Sequence, residues 1–273
     1  IRDNNLNAFA APGGIIGVNA GLFKYADNEA QFASVVAHEL AHLSQRHFAR
    51  QILENSDRSN ASLATVLASI VVAVATQAPA AVIGAQGLLA SQRLRFSRLY
   101  ETEADREGFI TLENSGYDTS EMAEMFKNMQ ELRRLSGDTP PEFLLTHPVT
   151  TRRITESRER ARENPQDGTV DSFNFKLIKN RVKFLMTDNL SIRAFEKEIG
   201  DSDDDKYFRA LIEMKKLNFS KSIEILNGLE EKYPDNLIIK TTIAEVYTDS
   251  GNVRKSKDYT KKLLSVSLGN YPL

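Results

Sequence analysis

Apolar side chains recur along most of this chain at intervals of three and four residues, the spacing of one helix face. Phe32, Val35, Val36, Leu40 and Leu43 form the clearest such stripe. Asp27 or Asn28 stands where an N-cap belongs, with Glu29 and Gln31 in the turn behind it. The stripe runs on through His47, Phe48 and Ile52 and dissolves in the polar run 55–60. Helical spacing returns from Arg93 to Ser115, from Ser120 towards Leu135, and from Thr150 to Arg162. Residues 1–25 read differently. Leu6-Asn7-Ala8-Phe9-Ala10, the turn Pro12-Gly13-Gly14 and Ile15-Ile16-Gly17-Val18-Asn19 predict two short strands in a hairpin.

Residues 61–90 carry no charge and are rich in small apolar side chains. Gln77 and Pro79 interrupt the first run before it reaches the ~20 residues that a membrane span needs. Aromatic and basic flanks are missing as well. A buried or surface-resting helical hairpin is therefore expected, with membrane contact left open. Asn164-Pro165-Gln166-Asp167-Gly168 is polar and lacks an apolar anchor, as a linker does. The expected division is residues 1–163, a linker over 164–172, and residues 173–273. In the last part Asn218-Phe219-Ser220-Lys221-Ser222 returns 34 positions later as Asn252-Val253-Arg254-Lys255-Ser256. Ala210 maps to Ala244 and Leu229 to Leu263, while Pro234 and Tyr247 stand where a tetratricopeptide repeat carries its proline and tyrosine. The acidic run 201–205 reads as a solvated loop or helix start.

Composition narrows the function classes. A chain of 273 residues can bury a sizeable core. A net charge of -2 gives no electrostatic case for nucleic acid. The absence of cysteine excludes disulfides and thiolate metal sites. The chain opens on Ile1 with no visible signal peptide, which a processed product would lack in any case.

Chemistry concentrates in the stripe itself. His38-Glu39-Leu40-Ala41-His42 is H-E-x-x-H, and the chain holds only four histidines. Residues four apart share a helix face, so His38 and His42 can aim two imidazoles at one zinc ion. Glu39 is rotated off that line and suits a general base acting on a metal-bound water. His47, about 140° round a continuous helix from His42, is read as a non-ligand. A catalytic zinc wants a third protein ligand. Glu101 and Glu103 cannot both face it, being about 200° apart on a helix. Glu101 and Asp105 do share a face, which predicts Glu101 as ligand, Asp105 as the group orienting a histidine ring, and Glu103 as surface.

These residues resemble metallopeptidase family forty-eight, which includes the HtpX-type and CAAX prenyl proteases. The similarity is greater to its soluble periplasmic branch, which joins the protease domain to a C-terminal tetratricopeptide array. Asn7-Ala8-Phe9-Ala10, Gly13-Gly14, Gln45-Arg46-His47, Glu103-Ala104-Asp105-Arg106-x-Gly108 and Leu144-Leu145-Thr146-His147-Pro148 carry that resemblance. It implies that His147 lies near the metal as a fourth ligand that caps a resting site and, once displaced, helps stabilise the oxyanion. It also implies a place for Arg153 near the substrate, stabilising the tetrahedral intermediate.

The expected fold is mainly α with a small β-sheet, an α+β zincin-type protease domain followed by an all-α tetratricopeptide-like region. The expected activity is that of a zinc endopeptidase with one Zn2+ per chain, acting on polypeptide substrate. The resemblance adds a periplasmic location, envelope-protein clients and the outer-membrane protein assembly machinery as partner. Substrate is expected along Ala8, Phe9 and Ala10 or Ile15, Ile16, Gly17 and Val18, although ordinary sheet packing explains the hairpin equally well. Two other readings stand beside it: a chaperone or adaptor with latent protease activity, and a membrane-embedded protease using 61–90 as a span.

Overall fold

A computed structural model describes residues 1–56, 98–165, 167–188, 195 and 199–267. The apolar run 61–90 lies outside the described residues, and among those no helix is long and apolar enough to cross a membrane. The chain divides into two compact units, Ile1–Asp171 and Ser172–Leu273.

The first unit begins with the hairpin. Strands β1 (Ala8–Ala11) and β2 (Ile15–Val18) pair antiparallel, with Ala8 opposite Val18 and Ala10 opposite Ile16. Gly13 and Gly14 form the turn at φ of 91° and 79°, where a Cβ would be strained. Helix α1 (Ala20–Tyr25) leads to α2 (Glu29–Ser44), whose N-cap is Asn28; its side chain accepts from the Gln31 N–H. Beyond them lie α3 (His47–Ser56), α4 (Arg98–Asn114), α5 (Glu121–Leu135), α6 (Glu142–Thr146) and α7 (Thr151–Glu163).

Helix α2 is central. It packs along α4 and also against α5 and β1. Val35 meets Phe109, Leu112, Met122, Phe126 and Ile154 in one apolar cluster. The α2–α4 approach is tight because position 108 is glycine. A Cβ there would stand 3.2 Å from the His38 Cα.

Two expectations need correction. The α2 stripe does not continue as one helix through Ile52. The Gln45 N–H closes the last turn on the Ala41 carbonyl, and Arg46 then adopts φ 54°. That left-handed residue redirects the chain before α3 starts. Residues 167–171, expected as linker, are tied to the first unit. Thr169 exchanges backbone hydrogen bonds with Gly116 and Asp118, and the Ala30 N–H donates to the Val170 carbonyl. Gly168 lies against the Tyr117 backbone, where a Cβ would approach to 2.2 Å. Backbone pairing holds a segment that has few apolar side chains of its own.

The second unit is all helical: α8 (Phe173–Met186), α9 (Asp203–Lys215), α10 (Phe219–Lys232), α11 (Leu237–Asp249) and α12 (Val253–Ser267). Successive helices from α9 to α12 pack on one another. Leu177, Tyr207, Leu211, Leu226, Ile239 and Ile243 lie in their shared core. The 34-residue echo is present in the backbone. Asn218 N–H donates to the Glu213 carbonyl and Leu217 N–H to Met214; Asn252 donates to Tyr247 and Gly251 to Thr248. The residue before each asparagine has positive φ, 64° at Leu217 and 75° at Gly251. This is one helix-ending turn made twice. The acidic run begins α9, where Ser202 and Asp205 form a capping box and negative charge suits the helix dipole.

Candidate metal centre

Helix α2 presents His38 and His42 on the side facing α4. Helix α4 answers with Glu101, Ala104, Asp105 and Gly108, a buried face at three- and four-residue spacing. Two carboxylates on a buried face require partners, since an unpaired buried charge is very costly. His147 arrives from the end of α6. Phe143 and Leu144 anchor that short helix in the core, and the His147 N–H closes it on the Phe143 carbonyl. Thr150 caps α7 through the Arg153 N–H, which sets Arg153 in the first turn.

Four side chains converge. His38 Nε2 lies 3.0 Å from His42 Nε2 and 3.5 Å from His147 Nδ1. Glu101 Oε1 is 2.9 Å from His147 Nδ1 and 3.4 Å from His42 Nε2, and its Oε2 is 3.5 Å from His38 Nε2. One donor atom from each of the four lies within 4.8 Å of the others, and all four residues are buried. A tetrahedral ion bound at ~2.0–2.1 Å sets neighbouring donors about 3.3 Å apart. The observed separations bracket that value, so the donor set fits a metal ion in both chemistry and spacing.

The surroundings hold the donors in place. Asp105 Oδ1 is 3.1 Å from His38 Nδ1, and Arg153 binds the same carboxylate through Nε at 2.6 Å and Nη2 at 2.7 Å. Arg153 Nη1 reaches Glu101 Oε2 at 2.9 Å and the Pro148 carbonyl at 3.0 Å, while its guanidinium covers the Phe126 ring. The guanidinium is thus committed on three sides, which sets it behind Asp105 and Glu101 rather than loose beside a substrate. Glu39 is 1 % exposed, and among the described residues neither carboxylate oxygen has a side-chain hydrogen-bond partner. The His147 Nε2 lies 3.7 Å from its Oε1.

Electrostatics agree with a cation site. Burial opposes charge on His38, but hydrogen bonds to Asp105 and Glu101 outweigh it and raise its pKa to about 9. The same carboxylates that hold a proton there can hold a metal. Burial drives His42 the other way, down to about 3, so it offers a neutral ring. Burial favours the neutral acid at Glu101, yet His147 and Arg153 bring its pKa well below the usual range. Glu39 is pushed up by burial, against the pull of His147, His38 and the Ala10 backbone. A carboxylate raised in this way is a better proton acceptor.

The structure brings His38, Glu39, His42, Glu101, Asp105, His147 and Arg153 together. Of the hairpin residues, Ala10 is the one whose backbone acts on Glu39. Ala8 is buried, Phe9 lies across Gly17 from the opposite strand, and Ile15 is 38 % exposed. Glu103 is not a simple surface carboxylate. Its Oε2 accepts from His47 Nε2 at 3.1 Å and from Arg50 Nη1 at 2.9 Å. The His47 Nδ1 lies 2.8 Å from His42 Nδ1. A helical wheel hides this contact, because it assumes that α2 continues through residue 46. The break at Arg46 folds His47 back onto His42.

A helix-borne H-E-x-x-H pair, joined by a carboxylate from a second helix, defines a metallopeptidase centre. The chain belongs to peptidase family M48, whose pattern matches residues 1–161. It is similar to the beta-barrel assembly-enhancing protease of Escherichia coli K12, 32 % identical over 246 residues, covering 86 % of this chain and 50 % of that protein. A Vibrio cholerae protein provisionally given the same name is 35 % identical over 257 residues, 90 % of this chain and 53 % of its own. The mitochondrial metalloendopeptidase OMA1 of Arabidopsis thaliana is 33 % identical over 153 residues, 56 % of this chain and 29 % of that protein. The chain thus spans about half the length of the bacterial relatives from Escherichia coli and Vibrio cholerae.

Proposed function

We propose that the chain is a zinc-dependent endopeptidase that hydrolyses unfolded or misassembled envelope proteins in the periplasm. The convergence of buried His38, His42, Glu101 and His147 beside Glu39 carries this reading. The set of nitrogen and oxygen donors, without sulfur, suits a catalytic zinc. Bound there, zinc would polarise the scissile carbonyl and acidify a water.

The residues of the chain do the rest. His38, His42 and Glu101 would hold the ion, and Asp105 fixes the His38 ring. Glu39 accepts the proton of the attacking water and passes it to the leaving amine. Arg153 keeps Glu101 and Asp105 charged and aligned. His147 would be a fourth donor to the ion, one that keeps the resting site covered. An extended substrate adds along the hairpin, where β1 brings Ala10 beside Glu39. Residues 173–273 are read as tetratricopeptide-like repeats that dock clients or an assembly complex, a reading that the doubled helix-ending turn supports. The names of the bacterial relatives point to the β-barrel assembly machinery as that complex.

A second reading, a chaperone or adaptor with latent protease activity, draws on the same His147, whose place among the donors suits a site closed by default. One experiment separates them. Metal content and casein cleavage are measured for the parent, Glu39→Gln and His147→Ala. The endopeptidase reading expects one zinc per chain, a loss of about 10²–10⁴-fold in cleavage for Glu39→Gln, and faster cleavage for His147→Ala. A metal-free parent that cleaves nothing rejects it. A Glu39→Gln variant that still supports envelope assembly in cells favours the chaperone.

A further inference from the structure

We infer that His47 and Glu103 are positioning residues that set the tautomer of His42, keeping the hydrogen off its Nε2, the atom that would bind metal. The inference rests on the metallopeptidase reading and deepens it, by giving a task to two residues outside the ligand set.

The argument is a chain of donors and acceptors. An ionised carboxylate only accepts, so His47 Nε2, 3.1 Å from Glu103 Oε2, must carry a hydrogen. A neutral imidazole with its hydrogen on Nε2 has a lone pair on Nδ1. That Nδ1 lies 2.8 Å from His42 Nδ1. Two lone pairs at this distance repel, so His42 Nδ1 carries the hydrogen and its Nε2 is bare. Nε2 is the atom that faces His38 Nε2 at 3.0 Å and Glu101 Oε1 at 3.4 Å. With the opposite tautomer, a hydrogen would occupy the place of the ion.

The remaining contacts hold this relay still. The His47 ring stacks on Tyr100, with centroids 4.6 Å apart and planes 20° from parallel. Arg50 Nη1 donates to Glu103 at 2.9 Å, and its guanidinium covers the other partner, Tyr100. His47 is fully buried, so water does not compete for either nitrogen. His38 has an equivalent orienting group in Asp105, so each histidine of the H-E-x-x-H pair has its own. Outer partners of this kind are worth about 10–100-fold in metal affinity.

The test uses the full chain and zinc alone as probe. Zinc affinity is measured by competition with a coloured chelator, and folding by circular dichroism. His47→Phe keeps a ring against Tyr100 and removes both nitrogens; affinity should fall by about 10–100-fold in a folded protein. His47→Asn places Oδ1 where Nδ1 stood and should regain most of that loss, since the acceptor for His42 Nδ1–H returns. Glu103→Leu breaks the other end and should weaken zinc by about 10-fold, which serves also if His47→Phe fails to fold. If folded His47→Phe or Glu103→Leu binds zinc within about twofold of the parent, the relay is rejected. An Asn variant as weak as the Phe variant rejects it too. A parent that binds no zinc rejects the proposed zinc dependence itself, which the parent titration alone reports.

Discussion

Arg153 and Asp105 form a two-point ion pair inside the first unit, with Nε and Nη2 at 2.6 and 2.7 Å from the two carboxylate oxygens. The same carboxylate orients His38, and the same guanidinium reaches Glu101. One arginine therefore braces both acidic residues of α4. Removing it leaves two buried carboxylates short of a cation, a loss of about 3–5 kcal/mol. Arg153→Ala should lower the urea midpoint of the first unit accordingly. Arg153→Lys should recover only part, because an ammonium cannot span both oxygens. A lysine variant as stable as the parent would mean that the two-point geometry is irrelevant.

Gly108 lets α4 approach the backbone of His38. An alanine Cβ would stand 3.2 Å from the His38 N and Cα and 3.3 Å from the Ala37 carbonyl carbon. The obstacle is backbone, so the helices must part by a few tenths of an ångström. Gly108→Ala should cost about 1–3 kcal/mol and weaken metal binding, since Glu101 and His38 sit on opposite sides of this contact. Thermal unfolding of the variant, together with metal titration, checks both effects.

Leu217 is 72 % exposed and holds φ 64°, where its repeat counterpart is Gly251 at 75°. A left-handed leucine costs ~1–2 kcal/mol, and its exposed side chain returns little. Leu217→Gly should stabilise the second unit by about 0.5–1 kcal/mol, the gain being reduced by the greater freedom of glycine when unfolded. A drop in the unfolding midpoint would show that Leu217 has an apolar partner.

Asp203 at the start of α9 is hydrogen-bonded by Lys232 and Tyr233, which lower its carboxyl from 3.8 to about 2. A depressed carboxyl stabilises the folded state above its unfolded value. That contribution is complete above about pH 5 and is lost progressively as pH falls through 3.8 and then 2. Unfolding curves of the parent and Asp203→Asn should therefore differ at neutral pH and converge near the acid end. Curves that stay parallel through that window would remove Lys232 and Tyr233 as the cause.

Much of the site was legible in local spacing. His38 and His42, with Glu39 rotated to their side, follow from one helical turn, and Glu101 with Asp105 from another, because periodicity alone puts each i, i+4 pair on one face. Helices α5 and α7 and the hairpin also follow from local pattern and turn residues. His147 and Arg153 were different. Their positions came from resemblance, since neither a His-Pro step nor a lone arginine specifies what it will meet in space.

What only the tertiary structure decided are the contacts made across breaks and between distant segments. Arg46 adopts a left-handed conformation that no composition rule assigns to arginine, and this one residue turns His47 from a bystander into the neighbour of His42. Glu103 gains its role from α3, and residues 167–171 gain theirs by pairing with Gly116 and Asp118. Spacing determines which side chains share a face. Which faces then meet depends on backbone turns and long-range packing, whose free energy is shared among many residues and is not written at any one of them.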